Sequence, residues 1–189
     1  MSDKRALDVA LVLATLPLSA PLIAGLALLV LAVDGRPVFF VQERVGKERR
    51  SIRVLKLRTM TLEEDPAQRR PTRLGAWLRQ RGLDELPQLV NVLRGDMSLV
   101  GPRPLTERDA ARLCAAHPPF AARFSVPPGL TGLSQACQAL GAELTARLDA
   151  EYARRQSAAL DVRILLRTSW MNVVGKARGK MPLPHGIAA

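Results

Sequence analysis

The stretch VALVLATLPLSAPLIAGLALLVLAV, residues 9–33, carries no charged side chain, and where its two ends go decides the fold. As one straight helix it would reach about 38 Å, more than the ~30 Å of a bilayer's hydrocarbon core. That is too long for the apolar part of a cleaved signal peptide, and no clear small-x-small cleavage site follows it. A buried helix of a soluble protein fits this length poorly. Pro17 and Pro21 fall near the middle, and each removes an amide donor from the helical ladder. Lys4 and Arg5 precede the segment; Arg36, Arg44, Lys47, Arg49, Arg50, Arg53, Lys56 and Arg58 follow it. Basic flanks stay on the cytoplasmic side, so both ends call for the same side. Two arrangements satisfy these facts. Either the later charges overrule the earlier pair and the helix spans once, or it enters, breaks at the prolines and returns.

Outside this segment the chain is strongly basic, with 28 Lys and Arg against 17 Asp and Glu and a net charge of +11. Such a balance points to an anionic partner: nucleic acid, lipid headgroups or a phosphorylated substrate. Aromatic residues make up only 4%, which argues against nucleic acid. Cys114 and Cys137 have neither metal-site nor CxxC spacing, so a reducing compartment without disulfides is expected. The 189 residues fit one domain. Residues 37–58 predict a small β element, PVFFVQERV and IRVLKLR around the turn GKERRS. Helical spacing predicts helices over 72–81, from 84 to Gly95, from Thr106 to His117, and over 143–157 and 159–175; VPPGLTG, 126–132, reads as loop. The last helix mixes Leu160, Ile164, Leu165, Trp170 and Met171 with Arg163 and Arg167. It fits a helix packed on the core, or a basic amphipathic helix lying on a membrane.

The second informative stretch is RGLDELPQLVNVLRGDMSLVGPRP, Arg81–Pro104. Asp84 suits a helix N-cap, and Pro87 is tolerated in a first turn. A cap does not explain Glu85 beside it, nor Lys56, Arg58, Arg79, Arg81, Arg94 and Arg103 nearby in the sequence pattern. At a helix N-terminus the dipole would keep an Asp ionised, as a carboxylate nucleophile must be. A phosphoryl substrate would use the surrounding cations, because its transfer depends on positioning and charge neutralisation. Mg²⁺ suits oxygen ligands of this kind.

The chain resembles the small monotopic phosphoglycosyl transferases of bacterial glycoconjugate assembly, the bacterial sugar transferases. The likeness is carried by KRALD, RPVFFVQERVG, KLRTM, LDELPQLVNVLRGDMSLVGPRP, PGLTG with Gln135, Tyr152 and ALDVRILLRT, and it covers nearly the whole length. The resemblance implies an α+β domain, mostly helical with a short β element, in a single unit 1–189. Residues 6–33 would be a re-entrant, proline-broken membrane helix, 34–175 a catalytic part with interfacial helices, and 176–189 a tail. It implies transfer of a sugar-1-phosphate from a UDP-sugar to undecaprenyl phosphate on the cytoplasmic face of the bacterial inner membrane, with UMP released and Mg²⁺ as cofactor. Asp84 would attack the β-phosphate and form a phosphosugar–aspartyl intermediate; Glu85 would assist, and the two acids would hold the metal. Lys56, Arg58, Arg79, Arg103 and Gln135 match substrate-binding positions. Membrane lipid is the implied environment.

Three departures from the family pattern stand out. Ala20-Pro21 replaces the usual Ser-Pro at the helix break, with Ser19 one place early. Pro127 replaces the basic residue before Pro-Gly. After Gln135 the sequence reads ACQALG, where the family tends to have Asn-Gly-Arg. Arg123 or Arg147 is expected to supply the missing cation; otherwise donor specificity or donor binding differs. A catalytically silent homologue serving as scaffold is the alternative that this loop leaves open.

Overall fold

The computed structural model describes residues 3–65, 67–174 and 182. The expected tail, 176–189, therefore lies outside the described residues apart from Pro182. Helix α1, Asp3–Asp34, is the long apolar segment. It is followed by the hairpin β1, Phe39–Val45, and β2, Ser51–Leu57, then α2, Arg73–Arg81. A 3₁₀ turn, Leu83–Gln88, leads into α3, Leu89–Arg94, and the short strand β3, Ser98–Val100. Helix α4, Glu107–Ala116, and a second 3₁₀ stretch, Pro118–Ser125, precede β4, Gly129–Thr131. One turn of helix, α5, Leu133–Ala136, and the helices α6, Ala142–Arg155, and α7, Ala158–Val174, complete the described chain. The architecture is the expected α+β, mostly helical, with a long apolar N-terminal helix.

Both ends of α1 are fastened to the same body. At its start, Lys4 pairs with Asp161 of α7 at 2.5 Å and also donates to the Val100 carbonyl. The Tyr152 hydroxyl lies 2.8 Å from both Asp161 and the Val100 carbonyl, which closes the cluster. Arg5 donates to the Val92 and Leu93 carbonyls at the end of α3. Asp8, only 5% exposed, accepts from the Ser98 hydroxyl at 2.8 Å and the Leu99 amide at 3.1 Å. One turn on, Val12 is buried with Val54, Val92 and Met97. At the other end Leu26 and Val30 pack with Leu57 and Leu78. Arg58 then donates to the Asp34, Gly35 and Pro37 carbonyls, and the Thr72 hydroxyl donates to Asp34. Between these attachments Leu13, Leu16, Leu18 and Leu22 are exposed. That is apolar surface for which the described residues supply no cover.

The helix runs continuously through Pro17 and Pro21 instead of being interrupted there. A proline removes one i→i−4 bond, and helical bonds on the other faces can hold the ladder together. The donors lost at 17 and 21 would have served the carbonyls of Leu13 and Pro17, which lie on one face. Thr15 adds a local contact that the sequence reading missed: its hydroxyl donates back to the Leu11 and Val12 carbonyls at 2.9 and 3.1 Å.

Around this helix the hairpin forms as predicted, antiparallel, with Lys56 opposite Phe40 and Val54 opposite Gln42. A second β pair was not expected: β3 and β4 run parallel, Ser98 beside Gly129 and Val100 beside Thr131. Their residues read as loop because each strand is three residues long and its partner lies some thirty positions away. Helices α2 and α4 are capped by Thr72 and Thr106, whose hydroxyls accept from Gly75 and Asp109. The main core joins Val100, Leu133, Leu148, Tyr152 and Ile164, tying β3, α5, α6 and α7 together. Helix α7 packs on the core, one of the two readings given for it. Ile164 and Met171 are buried, whereas Val162, Leu166 and Trp170 form an outward apolar row at i, i+4, i+8.

Candidate active site

The site forms where β2, α2, the first 3₁₀ turn and the loop after β3 converge. Strand alternation turns Lys56 to the face of β2 shared, across the register, with Phe40, Gln42 and Arg44 of β1. Helix α2 comes close because residue 75 is glycine: a Cβ there would stand 2.1 Å from the Thr59 carbonyl oxygen. This approach brings Arg79 to the mouth of the site, where it donates to the Met60 sulfur at 3.0 Å. Gly82 then ends α2 in the left-handed region, φ 68°, and sends the chain straight into the 3₁₀ turn that carries both acids.

Asp84 is not the N-cap that the sequence predicts. The capping position is Gly82, and no side chain closes this helix start. Asp84 sits inside the turn with 7% of its surface exposed, lining a cavity of about 1180 Å³. No described side chain hydrogen-bonds or ion-pairs with its carboxylate. Nor is a helix dipole the main influence on its charge. Burial first, then the neighbouring Glu85 charge, push its pKa up, while Lys56 and Arg79 pull against them. A 3₁₀ turn followed by six helical residues supplies too little dipole to offset that burial.

Glu85 has the opposite surroundings. Its Oε1 is 2.9 Å from Lys56 Nζ and 2.6 Å from Arg103 Nη2. Burial alone would raise its pKa, but Arg103 and Lys56 together more than offset this and hold it below the ordinary carboxylate range. Two adjacent acids are thus set apart by environment: one clamped and anionic, one buried, unpaired on its side chain and facing open space. Within the described residues no cluster of three or more metal-ligating groups occurs. A hard cation that takes one or two carboxylates and completes its shell with phosphate oxygens and water still fits this pair.

The sequence-derived residues Lys56, Arg58, Arg79, Asp84, Glu85, Arg103 and Gln135 all line the cavity. Arg58 does so with its guanidinium engaged by backbone carbonyls, so there it clasps the exit of α1. Arg81 lines the rim and stacks on Trp77, 4.6 Å from the ring centre. Arg94, by contrast, is exposed at the far end of α3. Neither expected substitute cation reaches the site. Arg123 is 4% exposed, paired with Asp149 at 3.3 Å and donating to the Arg103 carbonyl, and Arg147 pairs with Glu143 on the surface of α6. One cation was overlooked. Arg44 lines the cavity, and burial followed by repulsion from Arg103 lowers its pKa. The signal was available, since Phe40, Gln42 and Arg44 alternate on the face that Lys56 shares.

The far wall is uncharged: Leu130, Thr131, Gln135, Gln138, Ala139 and Thr168. The Oε1 atom of Gln135 is buried there without a hydrogen-bond partner among the described residues. Such an acceptor costs free energy until a donor reaches it. The cavity therefore has a cationic end around two carboxylates and a neutral polar end, the division a sugar linked to a diphosphate requires.

Comparison with known sequences agrees. The profile of the bacterial sugar transferase family matches residues 1–175. A UDP-glucose:undecaprenyl-phosphate glucose-1-phosphate transferase of Caulobacter vibrioides is 42% identical over 87% of this chain and 67% of its own length. A UDP-N-acetylgalactosamine-undecaprenyl-phosphate N-acetylgalactosaminephosphotransferase of Aeromonas hydrophila is 35% identical over 87% of this chain and 42% of its own. An exopolysaccharide production protein of Rhizobium leguminosarum is 37% identical over 87% of this chain and 92% of its own. The chain thus spans much less than the full length of several relatives it matches.

Proposed function

The chain belongs to the bacterial sugar transferase family, and on that premise we propose that it transfers a sugar-1-phosphate from a UDP-sugar to undecaprenyl phosphate at the cytoplasmic face of the bacterial inner membrane. The observation that carries this reading is Asp84, a buried carboxylate facing a cavity whose near end holds Arg44, Lys56, Arg79 and Arg103. The donor's diphosphate lies among these cations. An Asp84 carboxylate oxygen attacks the β-phosphorus; the bond from that phosphorus to the bridging oxygen breaks, and UMP leaves with the oxygen and its electron pair. The product is a phosphosugar–aspartyl anhydride. A phosphate oxygen of undecaprenyl phosphate then attacks the same phosphorus and releases the carboxylate. Glu85 holds Lys56 and Arg103 at the height of the reacting phosphate. Asp84 and Glu85 would hold Mg²⁺, which would neutralise charge on the diphosphate oxygens. Gln135 receives a donor hydroxyl at its unpaired oxygen.

The membrane arrangement follows from α1. It is the one described helix long and apolar enough to cross a bilayer. A re-entrant path, bent at Thr15, Pro17 and Pro21, is supported by the attachment of Lys4, Asp8, Asp34 and Gly35 to one catalytic body. The exposed row Val162, Leu166 and Trp170 would rest on the lipid as a second contact. The lipid acceptor and the aqueous donor then meet at the same carboxylate.

The test is UMP release from a panel of UDP-sugars by the detergent-purified chain with Mg²⁺ and undecaprenyl phosphate. Release that depends on the acceptor is expected for at least one donor. No release from any donor would sink the transferase reading and favour a silent scaffold. The acid limb gives a second prediction. Arg79 and Lys56 both pull the Asp84 pKa down, so Arg79→Met should lose more kcat/KM at acidic than at alkaline pH. A uniform loss across the profile would separate Arg79 from the ionisation of Asp84.

A further inference from the structure

The turn after α5 contains a non-glycine residue in a glycine conformation. Gln138 has φ 51°, and its amide donates to the Gln135 carbonyl at 3.0 Å. Among the described residues two other non-glycine residues share such a φ, Glu48 and Arg49, both in the exposed hairpin turn. Gln138 differs from them because it lines the cavity. A left-handed backbone is unfavourable for a residue with a Cβ, and glycine would relieve it. Backbone of this kind persists at sites where the side chain is needed. What glutamine provides there and glycine lacks is a primary amide, able to donate and to accept.

The place of that amide follows from the rest of the wall. The anionic part of any nucleotide-sugar belongs at the cationic end, beside Asp84. The aromatic side chain lining the cavity is Phe40, on the β1 side, and it is the surface on which a planar base stacks. The α5 side offers Gln135, with its unpaired buried oxygen, and Gln138 one turn later. We infer that Gln138 is a specificity-determining residue that reads hydroxyl or acetamido groups of the donor's sugar ring. This inference rests on the transferase reading above. The altered sequence after Gln135 then sets which sugar is accepted, and no lost phosphate cation has to be replaced.

The experiment compares wild type, Gln138→Gly and Gln138→Asn for kcat/KM over a panel of UDP-sugars, for inhibition by UDP, and for thermal unfolding. Asparagine tolerates the left-handed backbone but reaches less far. Both variants are expected to lose about three- to tenfold in kcat/KM on the preferred donor, the scale of one hydrogen bond, with smaller changes on poor donors. UDP inhibition should be unchanged, and both variants should still unfold in one cooperative transition, so that selectivity is compared between folded proteins. Unchanged selectivity overturns the proposal. So does an equal loss on every donor with weakened UDP binding, which would put Gln138 at the uridine. If wild type turns over no donor, the transferase reading falls separately. Selectivity is then read from the thermal shift given by each UDP-sugar relative to UDP: loss of the sugar-dependent increment in both variants supports the proposal, and its retention overturns it.

Discussion

Replacing Asp84 with asparagine should abolish transfer and at the same time make the protein more stable at neutral pH. The loss should be about 10⁴-fold or more in kcat, the scale seen when a covalent nucleophile is removed. The gain in stability has a different origin. Burial and the adjacent Glu85 push the Asp84 pKa above its ordinary value. An acid whose folded pKa is raised lets the folded state keep its full stability below the unfolded pKa, and takes stability away as pH rises through the folded pKa. The neutral amide avoids that loss. The unfolding temperature of Asp84→Asn should therefore exceed that of wild type at neutral pH, and the gap should close on acidification below the usual carboxylate range. A variant both inactive and less stable at every pH would show that Asp84 holds structure and would remove it as nucleophile.

Asp161→Ala should be the most damaging change away from the cavity. Asp161 is 2% exposed, and it pairs with a Lys4 side chain 13% exposed. Truncating one partner of a buried pair leaves an uncompensated charge, which costs about 3–5 kcal/mol. For a chain of this size that lowers the unfolding temperature by about 6–20 °C. The Tyr152 hydroxyl loses a partner at the same time. Adding Lys4→Met to the Asp161→Ala variant should restore much of the loss, because the stranded cation is gone. In a double-mutant cycle a coupling below about 0.5 kcal/mol would mean the two charges act independently, contrary to the geometry.

Much of this was legible in the sequence because it rests on periodicity or on single residues. The hairpin follows from alternation in PVFFVQERV, the start of α4 from Thr106, and the long apolar helix from an uncharged run. The candidate site was legible as residue types, since acids beside arginines demand explanation wherever they fall. Its electrostatics were not. Local sequence makes Asp84 look like a cap, whereas its burial comes from packing of the turn against β2 and α2, a tertiary event. The helical phase was off as well. The spacing of Leu86, Leu89, Val90 and Leu93 predicts one buried helical face; Leu86, Leu89 and Leu93 do pack inward, but Val90 is 38% exposed. A 3₁₀ turn advances about 120° per residue, so the stripe drifts before α3 begins. Arg123 looked like a spare cation because its partner, Asp149, is 26 positions away and only the packing of α6 joins them. Strands β3 and β4 are too short to show any period.

The Asp8 contact also orders the protein's birth. The carboxylate directly precedes the apolar run, yet the Ser98 hydroxyl that bonds it lies 90 residues further along the chain. At about 5–20 residues per second the ribosome needs roughly 5–18 s to make that partner. Throughout that interval the acid lacks its Ser98 and Leu99 donors, and an acid is costly inside hydrocarbon. With α1 placed in a membrane as proposed, its first turns stay at the water boundary until β3 is synthesised. Deep burial of the N-terminal end is opposed before the catalytic body exists to receive it. On the proposed re-entrant path, membrane engagement and folding of the catalytic body are thereby coupled in time, and a nascent chain stopped short of Leu99 carries its apolar helix without its lock.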